Sequence, residues 1–283
     1  MPSPVPIALR IGLVLLLAYL GLVLVVALLQ RYLIYQPDVG TTEALQILAG
    51  GRHLQPWTNA AGTRVGWFRP SPHGAAAGSV LVLHGNAGSA VDRDYIADPL
   101  QQALPLDVYI LEYPGYGDRT GSPSQASLLA AADEAGDLLT GRGPIFLVGE
   151  SLGTGPTAHL AGRLGQRVAG ILFFAPYPRL AVVAGTHYPW LPVRWMLRDP
   201  YPADQWLSAY PGPVGVVLAG RDQIIPPRWG RALYHGFAGR KQLWEFADAG
   251  HNDVVSQPPE WWTQVGRFWG LPGLTPPEGS PQP

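Results

Sequence analysis

The chain has 283 residues, 19 basic and 20 acidic, a formal net charge of −1 and no cysteine. That balance excludes the broad positive field with which dedicated nucleic-acid binders neutralise phosphates, and the lack of thiols excludes disulfide frameworks, iron–sulfur clusters, thiolate zinc sites and a cysteine nucleophile. Charged residues make up 14% of the chain, against ~25% in ordinary soluble domains, so part of it is built for a solvent other than water.

Residues 1–10 form a tail too short and proline-rich to be a domain. It leads into Ile11–Leu29, IGLVLLLAYLGLVLVVALL, 19 residues without a charge. As a helix this run reaches ~28 Å, close to the ~30 Å hydrocarbon core of a bilayer, and it reads as a transmembrane anchor. A cleavable signal peptide is the alternative. The run exceeds the ~7–15 residues usual there, and Val25-Val26-Ala27 is the one weak cleavage site. Arg10 precedes the run, Arg31 follows it and the next cation is Arg52, so a single-pass membrane location is expected with the side unassigned.

After a membrane-proximal segment at 30–60, short β-branched runs recur through 61–270. They are VGWF at 65–68, SVLVLHG at 79–85, LDVYILEYPG at 106–115, IFLVG at 145–149, GILFFAP at 170–176, VGVVLAG at 214–220 and QLWEF at 242–246. Most are continuously apolar, as buried parallel strands are. Helical patterns separate them. In the clearest, Ser122 stands at the cap, Pro123 in the first turn and Gln125 in capping-box position, ahead of Leu128, Ala132, Ala135 and Leu139. The alternation predicts an α/β domain with a mostly parallel sheet covered on both faces, whose ligands bind beyond the carboxyl ends of the strands. The insertion at about 177–210 reads as a small lid, and 271–283 as a disordered tail.

Chemistry is therefore sought just after each strand. Gly149-Glu150-Ser151-Leu152-Gly153 follows the apolar run at 145–149 and precedes a helical pattern. A serine on so sharp a strand-to-helix turn leaves no room for side chains two positions either side, and the turn exposes its hydroxyl beside unpaired N–H groups. Pro156 should delay or kink the helix that follows. A serine nucleophile needs an acid and then a histidine further along the chain, and Asp222 and His251 each follow a strand. Asp199, Asp204, Asp248 and Asp253 read as solvated loop carboxylates, and His53, His73, His159, His187 and His235 show no partner pattern. The glycine-rich loop LVLHGNAGSA at 81–90 should supply the second oxyanion donor, so the backbone N–H groups of Asn86 and Leu152 are the expected pair, with His84 shaping the loop. No Gly-Lys-Ser/Thr follows that loop to make a phosphate cradle, and the paper match of residues 153–158 to a dinucleotide fingerprint lacks its acidic partner. No spacing suggests a metal or another cofactor.

With these residues in place, the chain resembles the α/β-hydrolase superfamily and, within it, serine hydrolases carrying one N-terminal membrane anchor. The resemblance rests on LHGNAG at 83–88, EYPGYG at 112–117, GSPS at 121–124, GESLGTG at 149–155, HYPWLPVRWMLRD at 187–199, GRDQIIP at 220–226 and AGHND at 249–253, and it covers residues 30–270. It implies an eight-stranded hydrolase sheet, with Ser151 as nucleophile, Asp222 as acid and His251 as base. Relatives of that kind include lipid and protein-thioester hydrolases. The expected function is thus cleavage of carboxylic esters or thioesters of acyl-lipid, lysolipid or acylated-protein type through an acyl-enzyme. The expected partners are that substrate and a bilayer, with no nucleic acid. Tyr113, Tyr116, Tyr188, Trp190 and Trp195 are the aromatic candidates for the substrate pocket. The alternatives are a membrane-tethered scaffold that keeps the fold but not the reaction, and a peptidase on the same fold.

Overall fold

The computed structural model describes residues 6–274, so residues 1–5 of the expected N-terminal tail and 275–283 of the expected C-terminal tail lie outside the described residues. The first element is α1 (Ile7–Ile34), a 28-residue helix that extends the apolar run at both ends. Its length and composition suffice to cross a membrane. The extension takes in Gln30 and Arg31, whose polar groups find partners elsewhere in the fold.

An eight-stranded sheet forms the body of the protein. Its strands are β1 (Gln55–Thr58), β2 (Arg64–Arg69), β3 (Ser79–Leu83), β4 (Asp107–Leu111), β5 (Ile145–Glu150), β6 (Val168–Phe174), β7 (Val214–Ala219) and β8 (Lys241–Phe246). The spatial order is β8-β7-β6-β5-β3-β4-β2-β1, parallel except where β2 pairs with β1 and with β4. The seven runs read from the sequence all become strands, with boundaries shifted by a few residues. The sheet begins at Gln55, ahead of the domain border expected at 61.

Alternation along the central strands sorts the core into two layers. Leu81 and Leu83 of β3 pack with Leu128, Ala132 and Leu160 of α4 (Gln125–Leu139) and α5 (Thr154–Leu164). Val80 and Val82 pack on the opposite face with Leu45 of α2 (Thr42–Gly51), Leu100 of α3 (Asp94–Ala103) and Trp262, a residue of the helix at Pro259–Trp269. Both faces are thus covered, and each fully buried Leu or Val contributes ~1.5–3 kcal/mol of transfer free energy. Between β6 and β7 the inserted segment carries α6 (Leu180–His187), α7 (Val193–Met196) and α8 (Ala203–Leu207). α9 (Pro227–Gly236) joins β7 to β8, and α10 (Pro259–Trp269) is the last helix of the described residues.

One local expectation is corrected and another is narrowed. The cap of α4 is Ser124 rather than Ser122, and its capping box closes with Ser127, because the Ser127 N–H reaches the Ser124 hydroxyl at 3.1 Å. Of the two outcomes expected at Pro156, a delayed start or a kink, α5 takes the delayed start. A 3-10 turn at Ser151–Gly153 delays the helix to Thr154, which puts Pro156 in its first turn, where an N–H has no intrahelical acceptor to lose.

The chain order creates the place for a site. β4 lies on one side of β3 and β5 on the other, so the loops leaving β3 and β5 diverge and open a crevice at their carboxyl ends.

Candidate active site

Ser151 stands at the end of β5 with φ 51°, a left-handed conformation forced by the immediate passage from strand to helical turn. Its flanking glycines are required by close approach. A Cβ at Gly149 would lie 2.6 Å from Thr157 Oγ1, and one at Gly153 would fall onto the Leu83 carbonyl. The elbow is therefore pressed against the end of β3, which brings the two diverging loops together.

Asp222 leaves β7 and His251 follows β8. The ring of His251 lies between the other two side chains, with Nδ1 2.7 Å from Asp222 Oδ2 and Nε2 3.0 Å from Ser151 Oγ. A carboxylate only accepts, so Nδ1 carries the proton and Nε2 accepts from the serine hydroxyl. The second Asp222 oxygen accepts the N–H groups of Ile224 at 2.8 Å and Ile225 at 2.7 Å, which fixes the carboxylate plane. Asp253 accepts the Gly250 N–H at 3.0 Å and so holds the turn that carries His251.

The other acids part company with the solvated reading in one case. Asp199 is buried and pairs with Arg31 at 3.0 Å, because α1 lies beside the inserted segment. Asp204 pairs with Arg179 and Asp248 with Arg221 at the surface. Among the histidines without a sequence pattern, His187 lines the cavity described below and its Nε2 lies 2.8 Å from the Ile224 carbonyl, tying α6 to the Asp222 loop.

Asn86 and Leu152 border the same space as Ser151 and His251. The Asn86 N–H has no hydrogen-bond partner among the described residues, and the Leu152 N–H opens a helical turn, where no intrahelical acceptor exists. Three buried tyrosines brace these peptides from behind. Tyr113 donates to the His84 carbonyl at 3.1 Å, Tyr116 to the Asn86 carbonyl at 2.8 Å and Tyr177 to the Leu152 carbonyl at 3.1 Å. Burial pushes all three phenols well above their ordinary range, so they remain donors. His84 is fully buried against Tyr113 and Tyr116, with Nδ1 2.8 Å from the Gly85 carbonyl, in keeping with a loop-shaping part.

A cavity of about 690 Å³ opens over Ser151, within the range of sites for drug-sized ligands. Of the five aromatic candidates, Tyr188 alone lines it. Tyr113 and Tyr116 are wholly buried behind the loop, since their hydroxyls are used up on carbonyls. Trp190 and Trp195 face outward, 52% and 86% exposed. Sequence reasoning missed most of the wall. Leu33 and Ile34 come from the end of α1, Leu180, Val183 and Leu197 from the inserted segment. It also missed a polar corner in which Tyr95 donates to Glu150 at 3.0 Å while accepting from Arg93 at 2.6 Å. Glu150 further accepts the Gly85 N–H at 3.2 Å, linking elbow to loop. A charged residue between an apolar strand and the serine turn was the one signal for this corner.

Comparison with known proteins adds family context. A family model for the alpha/beta hydrolase fold matches residues 78–200. An uncharacterized protein of Mycobacterium tuberculosis is 34% identical over 239 residues, covering 82% of this chain and 84% of that protein. The lysophosphatidylserine lipase ABHD12 of Mus musculus is 27% identical over 210 residues, 67% of this chain but 52% of its own length. Among solved structures, the Pyrococcus furiosus esterase Pf2001 superposes with a TM-score of 0.60 at 15% identity, over 83% of this chain and 95% of that one, a likeness of fold.

Proposed function

The chain belongs to the α/β-hydrolase family, and from that premise we propose that it is a membrane-anchored serine hydrolase cleaving acyl esters or thioesters through an acyl-enzyme at Ser151. The observation that carries this reading is the unbroken hydrogen-bonded sequence from Asp222 through His251 to Ser151. In the first half-reaction Ser151 Oγ bonds to the carbonyl carbon as its proton passes to His251 Nε2. The carbonyl oxygen takes up the negative charge and lies against the Asn86 and Leu152 N–H groups. His251 then gives its proton to the departing alkoxide or thiolate as the bond from the carbonyl carbon to that group breaks. Water enters by the same steps in reverse order and leaves a free acid and an unmodified serine.

Single-chain acyl lipids are the substrate class this reading favours. A mostly aliphatic wall from α1 and the inserted segment suits an acyl chain, and the helix at Ile7–Ile34 keeps the site close to a bilayer. The name of the ABHD12 relative points to the same chemistry, in a protein of which this chain spans about half.

A side-by-side rate comparison tests the proposal against the scaffold and peptidase readings. The full-length protein in detergent micelles should turn over p-nitrophenyl acyl esters, with kcat/KM at least about a hundredfold above that for matched aminoacyl p-nitroanilides. Turnover of the anilides alone would favour a peptidase, and turnover of neither a scaffold.

A further inference from the structure

α1 is more than a tether, because the inserted segment is fastened along half its length. Tyr19 donates to the Trp190 carbonyl at 2.8 Å. Gln30 donates to the Met196 carbonyl at 3.1 Å and accepts the Arg198 N–H at 2.7 Å. Arg31 pairs with Asp199, and one residue past the helix the Tyr35 and Tyr201 hydroxyls meet at 2.9 Å. Between Tyr19 and Gln30 the half-covered residues are Val23, Val26 and Ala27, which fall on the helix face that carries both anchoring side chains.

Helix arithmetic turns this contact into a statement about depth. The free portion Ile7–Ala18 is about 18 Å long at ~1.5 Å per residue, well short of the ~30 Å hydrocarbon core. The remaining ~12 Å of a crossing must come from Tyr19–Gln30, about 18 Å more, so most of that portion also lies in hydrocarbon. That portion brings the segment Tyr188–Leu197 with it. The composition of the segment agrees: Tyr188, Pro189, Trp190, Leu191, Pro192, Val193, Trp195, Met196 and Leu197 are apolar or amphipathic, and Arg194 alone is charged. Arg194 is exposed, with a stem long enough to carry its guanidinium toward the headgroups. The polar fastenings at Gln30, Arg31, Arg198 and Asp199 then gather at the level where hydrocarbon ends. Tyr188, Trp190 and Trp195 are exposed large side chains for which water is a poor solvent and a lipid leaflet a good one.

We propose that Tyr188–Leu197 is sunk into one leaflet beside α1, and that an acyl chain passes from that leaflet into the cavity along Leu33, Ile34 and Leu197. The last turn of the anchor is thereby a wall of the acyl site. This rests on the acyl-hydrolase reading for the identity of the ligand, but the depth of the segment does not.

Two measurements on the full-length protein separate the claims. The chain has no cysteine, so Trp195→Cys carries a single environment-sensitive fluorophore, with Thr140→Cys, exposed at the end of α4, as the reference. In phosphatidylcholine vesicles the label at 195 should be quenched by lipids brominated on their acyl chains and shielded from aqueous iodide at least about fivefold relative to the label at 140. Equal access of iodide to both labels overturns the insertion. For the acyl path, Leu33→Trp, with Ile34→Trp as a second probe of the same wall, should lower the ratio of kcat/KM for dodecanoyl over acetyl esters by about tenfold. An unchanged ratio in both variants overturns the path. Failure of the underlying hydrolase reading looks different, since the unsubstituted protein would then hydrolyse neither ester.

Discussion

Asp222→Asn is expected to leave the fold intact and lower kcat by a factor on the order of 10⁴ with little change in KM. The reason lies in how the two carboxylate oxygens are used. Oδ1 accepts the Ile224 and Ile225 N–H groups at 2.8 and 2.7 Å, and Oδ2 accepts from His251 Nδ1 at 2.7 Å. An asparagine must keep its carbonyl oxygen on the two backbone donors, because an NH₂ facing them would leave three donors and no acceptor. Its NH₂ is then turned toward Nδ1. The imidazole can satisfy that donor only as the opposite tautomer, with its proton on Nε2 and aimed at Ser151 Oγ. A ring in that state has no lone pair for the serine proton. Steady-state kinetics on a soluble ester, with circular dichroism to check the fold, measure the effect. A loss below about tenfold would remove Asp222 from the mechanism.

Gly153→Ala is expected to damage stability and turnover together. The added Cβ would fall onto the carbonyl of Leu83 and lie 2.9 Å from that of His84. These are main-chain atoms at the end of β3, so no side-chain rotation relieves the contact. The elbow and the loop bearing Asn86 must separate, at a cost of about 3 kcal/mol and on the order of 10 °C in Tm for a domain of this size. Activity should fall with the lost register between Ser151 and the two N–H donors. Gly50→Ala is the matched control. Gly50 lies within α2 and a Cβ there meets nothing within 4 Å, so this variant should melt at or above the parent temperature. Equal melting of Gly153→Ala and the parent would mean that the close approach is not needed.

The sheet was legible because parallel strands buried on both faces carry continuous apolar runs that punctuation by glycine and proline sets off. β1 escaped notice for the converse reason. Gln55-Pro56-Trp57-Thr58 pairs antiparallel at the sheet edge and buries only Trp57, so it has neither an apolar run nor a β-branched one. Ser151, Asp222 and His251 could be picked out because each directly follows a strand, where the topology gathers loops. The cavity wall could not. Leu33, Val183 and Leu197 lie far apart in the chain, and nothing in an apolar helix end or an inserted segment says that they meet. Tyr113 and Tyr116 show a different limit. An aromatic beside a glycine-rich loop can face the pocket or back the loop with identical patterning, and only the destination of its hydroxyl decides.

The central claim is that Ser151 is the atom donor to an acyl-enzyme, and a covalent probe meets it most directly. The purified full-length protein is incubated with a fluorophosphonate, digested, and the modified peptide mapped by mass spectrometry. The account predicts one phosphonyl adduct, on Ser151, absent from Ser151→Ala. A well-folded protein that forms no adduct, or forms it on another residue, would contradict it.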